Sequence, residues 1–359
     1  MKQQRNGLID FYRFIFALII VIHHAMWLDG RYVGDIENKV FFRGGYSAVE
    51  FFFILSGFLL SKKAYDNQMD DRIGEKTWNE IFKRIKTMYP AFIIAYVIAF
   101  SLKYYFNGGN LFGMISSSVG ELTLLLGAGF SFGDVIIGPI WYFSDLLISI
   151  LLLFPLMKKY KKTFSTIIAP IIVILGYGYL AMSFKHLAIT IDQLGIICGG
   201  ILRGCCGVAL GNVIFYLSLK DRIDFTKFGK IVLKLFEITC FILVIFFMNK
   251  HSGDYFDFIE IMLFAIIILL AFKYDYNNKI FNNKITSVLG EYSAILYVVH
   301  YSLIQIPKRI WPETWEMEYV MWIVMTNVVS VIVFLFIKFV FPKIHKAIKR
   351  LLVLDVDTK

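Results

Sequence analysis

A helix needs about 20 mostly apolar residues to cross the hydrocarbon core of a bilayer, with roughly 17 to 25 allowed. About ten runs along this 359-residue chain meet that demand. They lie near Leu8–Leu28, Gly45–Leu60, Tyr89–Phe106, Gly138–Met157, Phe164–Phe184, Leu194–Leu219, Ile231–Met248, Phe256–Phe272, Ile285–Ile306 and Tyr319–Phe341. A further apolar stretch, Leu111–Phe132, is interrupted by Gly113, Gly120, Gly127 and Gly129, and it reads as an interfacial or re-entrant segment rather than a span. Composition agrees with this reading: 58% of residues are hydrophobic and only 18% are charged, against about 25% in soluble domains. The expectation is an all-α, polytopic transmembrane bundle of about ten spans in one domain, residues 1–341, followed by a short basic tail, residues 342–359. No cleavable signal peptide is expected, because the first run is long, carries Arg13 and two histidines, and lacks a small-residue cleavage site. The four cysteines all lie inside apolar runs and read as buried thiols.

A net charge of +10 would suit a nucleic-acid ligand if the cations were clustered for one. They are instead divided by the apolar runs. With the N-terminus placed in the cytoplasm, 27 of the 37 Lys and Arg fall on the inner side and eight on the outer, leaving Arg13 and Arg203 within the membrane. That asymmetry is the signature of cytoplasmic loops. It predicts cytoplasmic N- and C-termini, an even number of spans, a multi-pass protein of an inner or plasma membrane surrounded by lipid, and no nucleic-acid partner.

Ionisable side chains at membrane depth are costly and ask for a partner or a role. Arg13 and His24 are eleven residues apart, which at about 100° per residue leaves them within about 20° on one helix face. Their axial separation is roughly 16 Å at the α-helical rise, with Arg13 near the inner side and His24 in the outer half. Asp10, one turn before Arg13, can pair with it. Arg13 could also simply snorkel inward, and one or both histidines of His23-His24 could bond a neighbouring helix. Glu50, Asp145, Arg203 and His300 bring further ionisable groups to other spans, so that several polar groups converge within one bundle, although Glu50 and Asp145 could equally serve to satisfy buried donors. Gly200, Gly204, Gly207 and Gly211 are spaced for close helix packing. Lys83-Arg84-Ile85-Lys86, just before Tyr89-Pro90, is either a solvated flank or a site for an anionic cytoplasmic ligand.

The order of these residues resembles the acyltransferase-3 family of integral membrane O-acyltransferases. The resemblance is carried by Asp10-Phe11-Tyr12-Arg13 with His24, by Glu50 to Phe58, and by Lys83-Arg84 leading to Tyr89-Pro90. It continues through Ile140-Trp141-Tyr142-Phe143-Ser144-Asp145 with Phe154-Pro155, Arg203 with Gly207 and Gly211, and Leu289-Gly290-Glu291-Tyr292-Ser293 through Tyr297 to His300. Asp145 stands where the family usually has Glu, and Val299 where Trp is common before the histidine. The resemblance implies transfer of an acyl group, most commonly acetyl, from cytoplasmic acetyl-CoA to a hydroxyl of a cell-envelope or exported glycan, with no metal. His24 would act as base, or carry a transient acyl group, and Glu50 or Asp145 would orient it. Lys83, Arg84 and Arg203 would hold donor phosphates, and Arg13 would anchor donor phosphate or orient the catalytic site. Lacking the extra extracytoplasmic hydrolase-like domain of some members, the chain would act alone or with a separate extracytoplasmic transferase or polysaccharide-synthesis proteins. A secondary transporter or flippase for an envelope precursor is the alternative, since intramembrane charges also mark solute paths, but the two halves show no convincing repeat. A purely structural role leaves the stacked Arg13 and His24 unexplained.

Overall fold

The computed structural model describes residues 5–27, 41–66, 72–130, 133, 135–221, 223–274, 280–307, 315–344 and 346. Most of the basic tail and several cations expected in outer loops, including Arg31 and Lys39, lie outside the described residues. Among the described residues the chain is a helical bundle with one two-stranded ribbon, Gln193–Leu194 against Ile197–Cys198. The helices are α1 Gly7–His24, α2 Ala48–Asp66, α3 Ile73–Asn107, α4 Leu111–Ser117, α5 Val119–Leu122, α6 Trp141–Lys159, α7 Lys161–Thr163, α8 Ala169–Phe184, α9 Gly199–Ser218, α10 Lys227–Lys250, α11 Phe256–Lys273, α12 Lys284–Val299 and α13 Trp315–Leu335. Single π turns, Phe164–Ile168 and Phe336–Val340, join α7 to α8 and extend α13. Each of the ten apolar runs thus carries a helix, and among the described residues seven helices are long and apolar enough to cross a membrane.

Local chemistry sets several of the helix starts. Asn6 Oδ1 accepts from Ile9 N, Thr226 Oγ1 from Gly229 N, and Asn283 Oδ1 from Ile285 N and Thr286 N, so first-turn amides that no carbonyl can reach are satisfied by a capping side chain. The glycines of α9 then decide its packing. Gly204, Gly207 and Gly211 face Phe53, Ile54 and Phe58 of α2, and Gly57 of α2 lies against the backbone of Val208, so these two helices approach to backbone contact. The other extensive pairing is α1 with α12, where Gly290 makes room for Asp10.

Cross-links at the helix ends fix the order of the bundle. At one end Asn282 Oδ1 accepts from Gly7 N at 2.8 Å, and Asn6 Nδ2 donates to Ala271 O at 2.9 Å. At the other, Gly44 N donates to Met248 O at 2.8 Å and Tyr297 Oη to Pro139 O at 2.7 Å. The starts of α1 and α12 therefore share one end of the bundle with the end of α11.

The glycine-interrupted stretch forms no continuous helix. It breaks into α4, α5 and a turn at Leu126–Ala128. From the end of α3 it runs back along that helix: Ser118 meets Tyr96 at 2.5 Å and Leu122 O accepts from Tyr89 at 3.0 Å. It then returns to α6, where Ser144 Oγ accepts from Gly127 N at 3.0 Å. Glu121 supports the return by accepting from Ile136 N and Ile137 N. This descent and return follows a re-entrant course: α4 is left exposed, whereas Ser118, Gly120, Glu121, Leu124, Leu126 and Gly127 are buried against the neighbouring helices. The cysteines are free thiols, three of them buried and Cys205 half-buried.

Candidate active site

Three of the polar clusters in the bundle hold the residues expected at the site, and α1 carries two of them. At its first turns Asp10, 3% exposed, accepts from Arg13 Nη1 at 3.2 Å and also pairs with Arg5. Arg5 reaches Glu291 of α12 at 2.9 Å, and Glu291 in turn takes Lys338 at 2.6 Å. Cations and carboxylates thus alternate from the N-terminus to the last helix, with three cations to two carboxylates. The Arg13 side chain stays about one-third open, at 29%.

At the far end of the same helix His24 is half-buried, and its Nδ1 lies 2.8 Å from Ile20 O. The Nε2 of His300, wholly buried where α12 gives way to the short turn His300–Leu303, lies 3.3 Å from the same His24 Nδ1. Tyr301 packs edge-on against the His24 ring at a centroid distance of 5.7 Å. His23 faces away, toward Phe42 O at 3.1 Å. This is the divergence that the helical wheel requires, since His24 and not His23 follows the stripe of Arg13.

The third cluster joins α2, α6, α8 and α9. Arg203 Nε donates to Glu50 Oε1 at 2.7 Å, with both side chains at 0% exposure. Tyr177 Oη donates to Glu50 Oε2 at 2.6 Å, and Arg203 Nη1 to Ile189 O at 2.8 Å. The Trp141 ring lies 5.0 Å from the guanidinium, in cation–π range. Asp145, one turn after Trp141, is wholly buried against Gly127 and Gly200, and among the described residues neither of its oxygens has a hydrogen-bond partner. The same holds for Arg203 Nη2.

These positions refine the roles expected from the residues. Glu50 commits both oxygens to Arg203 and Tyr177, and the contact that His24 makes is with His300 rather than with Glu50 or Asp145. Arg203, expected among the phosphate-binding cations, is enclosed, with Nε held by Glu50 and Nη1 by Ile189. Of the basic segment in α3, Arg84 is tied to Glu80 at 2.8 Å, and Glu80 also takes Lys63 at 2.5 Å, whereas Lys83 is exposed. His300 stood out in the sequence as an ionisable residue in an apolar run and as the end of one resembling motif, and its place beside His24 depends on the packing of α1 against α12.

The helical bundle thus carries Arg13 and His24 on one face of α1 and encloses Glu50, Asp145 and Arg203 in a separate cluster. Its class is settled by sequence comparison: residues 6–340 match the family model described as an acyltransferase domain. The chain belongs to the acyltransferase-3 family and is a membrane acyltransferase. No curated protein and no solved structure matches it.

Proposed function

We propose that this protein is an O-acyltransferase that moves an acetyl group from cytoplasmic acetyl-CoA to a hydroxyl of a cell-envelope glycan. In this reading all ten apolar runs span, both termini are cytoplasmic, and the end of the bundle bearing Arg13 faces the cytoplasm. The observation that carries it is the placement of Arg13 and His24 at opposite ends of one helix face, roughly 16 Å apart along the axis. Coenzyme A is a phosphate-rich head on a long flexible arm. A head held by the partly open Arg13 guanidinium and the exposed Lys83, with Arg84 beside it, would let the thioester extend toward His24.

A sugar hydroxyl is a weak nucleophile at neutral pH, and histidine is the side chain whose ordinary pKa best suits it to take a proton there. His24 takes the acceptor's proton as that oxygen attacks the thioester carbonyl. It then returns the proton to the departing thiolate sulfur as the carbon–sulfur bond breaks. Glu50, Arg203 and Asp145 hold the surrounding helices in register for this step. Mass spectrometry of envelope polysaccharide from cells with and without the protein tests the reading: an O-acetyl mass increment present only with the protein supports it, and identical spectra contradict it.

A further inference from the structure

Two neutral imidazoles can hydrogen-bond only when one offers a proton and the other a lone pair. Both rings here have their Nδ1 against a carbonyl oxygen, His24 at 2.8 Å from Ile20 O and His300 at 2.6 Å from Tyr297 O. A carbonyl oxygen only accepts, so each Nδ1 carries its ring's hydrogen. The Nε2 of His300 is then a lone pair, and it faces the Nδ1–H of His24 at 3.3 Å. That hydrogen is shared between Ile20 O and His300 Nε2. The consequence falls on the far side of the His24 ring: with the hydrogen held at Nδ1, the lone pair sits at Nε2, where a base needs it.

His300 is itself held by groups outside this pair. Its ring lies beside Trp322, 6.4 Å between centroids, and the Trp322 indole N–H donates to Val21 O at 3.1 Å, three residues before His24. Tyr297, one turn earlier on α12, is tethered to Pro139. A carboxylate in the place of His300 would hold the same tautomer, but it would bring a full negative charge to membrane depth at a cost that a neutral ring avoids.

We infer that His300 is the positioning residue for His24: with the Ile20 carbonyl it holds His24 as the Nδ1–H tautomer and shares the positive charge once Nε2 has taken a proton. This rests on the reading of His24 as the base. His300 neither gains nor loses a proton in the step. The proton passes from the acceptor oxygen to His24 Nε2 and on to the thiolate sulfur.

The test uses inside-out membrane vesicles containing the full chain or its variants, a concentration series of radiolabelled acetyl-CoA, and counting of label in the polysaccharide fraction per amount of folded protein. His300→Phe keeps a ring of similar size but has no lone pair, and it is expected to lower kcat on the order of 100-fold with the donor KM unchanged. His300→Gln offers an amide oxygen and is expected to recover most of that loss. In 15N-histidine spectra the His24 signal, assigned by its loss in His24→Ala, shows hydrogen on Nδ1 in the parent protein. A folded His300→Phe with parental kcat, a His300→Gln as slow as the Phe variant, or a parent His24 with its hydrogen on Nε2 overturns the proposal. If His300→Phe does not fold, the glutamine variant and the parent spectrum decide it. His24→Ala at full rate overturns the underlying reading as well, so the two failures are told apart.

Discussion

Arg203 Nε and Glu50 Oε1 meet at 2.7 Å with neither side chain open to solvent, on helices that also meet through glycines, aromatic rings and the Asn212–Ser61 hydrogen bond. Removing two charges from water costs several kcal/mol per ion, and a buried pair recovers this only when its remaining polar atoms are also satisfied. Tyr177 and Ile189 provide most of that satisfaction. The pair is therefore part of the framework that keeps α2 and α9 in register.

Removing one partner should be far worse than removing both. Glu50→Gln leaves an uncompensated guanidinium and is expected to destabilise the bundle by about 3–5 kcal/mol. Glu50→Leu combined with Arg203→Met should recover most of this loss. Thermal unfolding in detergent checks both, and a Glu50→Gln protein as stable as the parent would count against an ionic framework.

Glycine contacts give a second, sharper contrast. A Cβ at Gly57 would fall on the backbone of Val208, whereas one at Gly178 meets nothing within 4 Å. Gly57→Ala is expected to cost about 1–3 kcal/mol through overpacking. Gly178→Ala should stabilise its helix by about 0.5–1 kcal/mol, because alanine loses less backbone freedom on folding. The two melting shifts should therefore have opposite signs.

Asp145 and Gly127 should be energetically coupled. A Cβ at Gly127 would strike the Asp145 carboxylate, which supplies its three nearest atoms. Gly127→Ala alone should destabilise, and in the Asp145→Ala background most of that penalty should vanish, giving a coupling of about 0.5–3 kcal/mol in a double-mutant cycle. Additive effects would show that the re-entrant segment does not rest on Asp145.

What the sequence makes legible here is whatever a single helix encodes. The apolar runs, the broken character of the stretch from Leu111, and the shared stripe of Asp10, Arg13 and His24 all follow from spacing within one segment, and all reappear in the structure. Pairings between segments do not. Glu50 and Arg203 are 153 residues apart in sequence, and His24 and His300 are 276 apart. No periodicity relates such residues, because which helices become neighbours is decided by packing. Hence Glu50 reads from sequence as an orienter of His24, although the fold gives it to Arg203. The glycines of α9 are the intermediate case: their spacing announces a close approach, but only the structure names α2 as the partner.

Donor recognition is tested at the other end of α1. In the proposed reading Arg13 makes a charge-assisted bond to a donor phosphate, and Arg13→Ala should raise the donor KM about 10- to 100-fold with a smaller effect on kcat. Lys83→Ala should act in the same direction but less, since an exposed flexible ammonium contributes less than a held guanidinium. A fall in kcat with KM unchanged in both variants would place donor binding elsewhere.

In the proposed function His24 performs the proton transfer of the acyltransferase. The most direct measurement is the rate at which inside-out vesicles containing His24→Ala pass label from radiolabelled acetyl-CoA into envelope glycan, compared with the parent at equal amounts of folded, inserted protein. His24→Ala is expected to be slower by on the order of 100-fold or more, with thermal stability close to that of the parent. A folded His24→Ala protein that acetylates at the parental rate would contradict it.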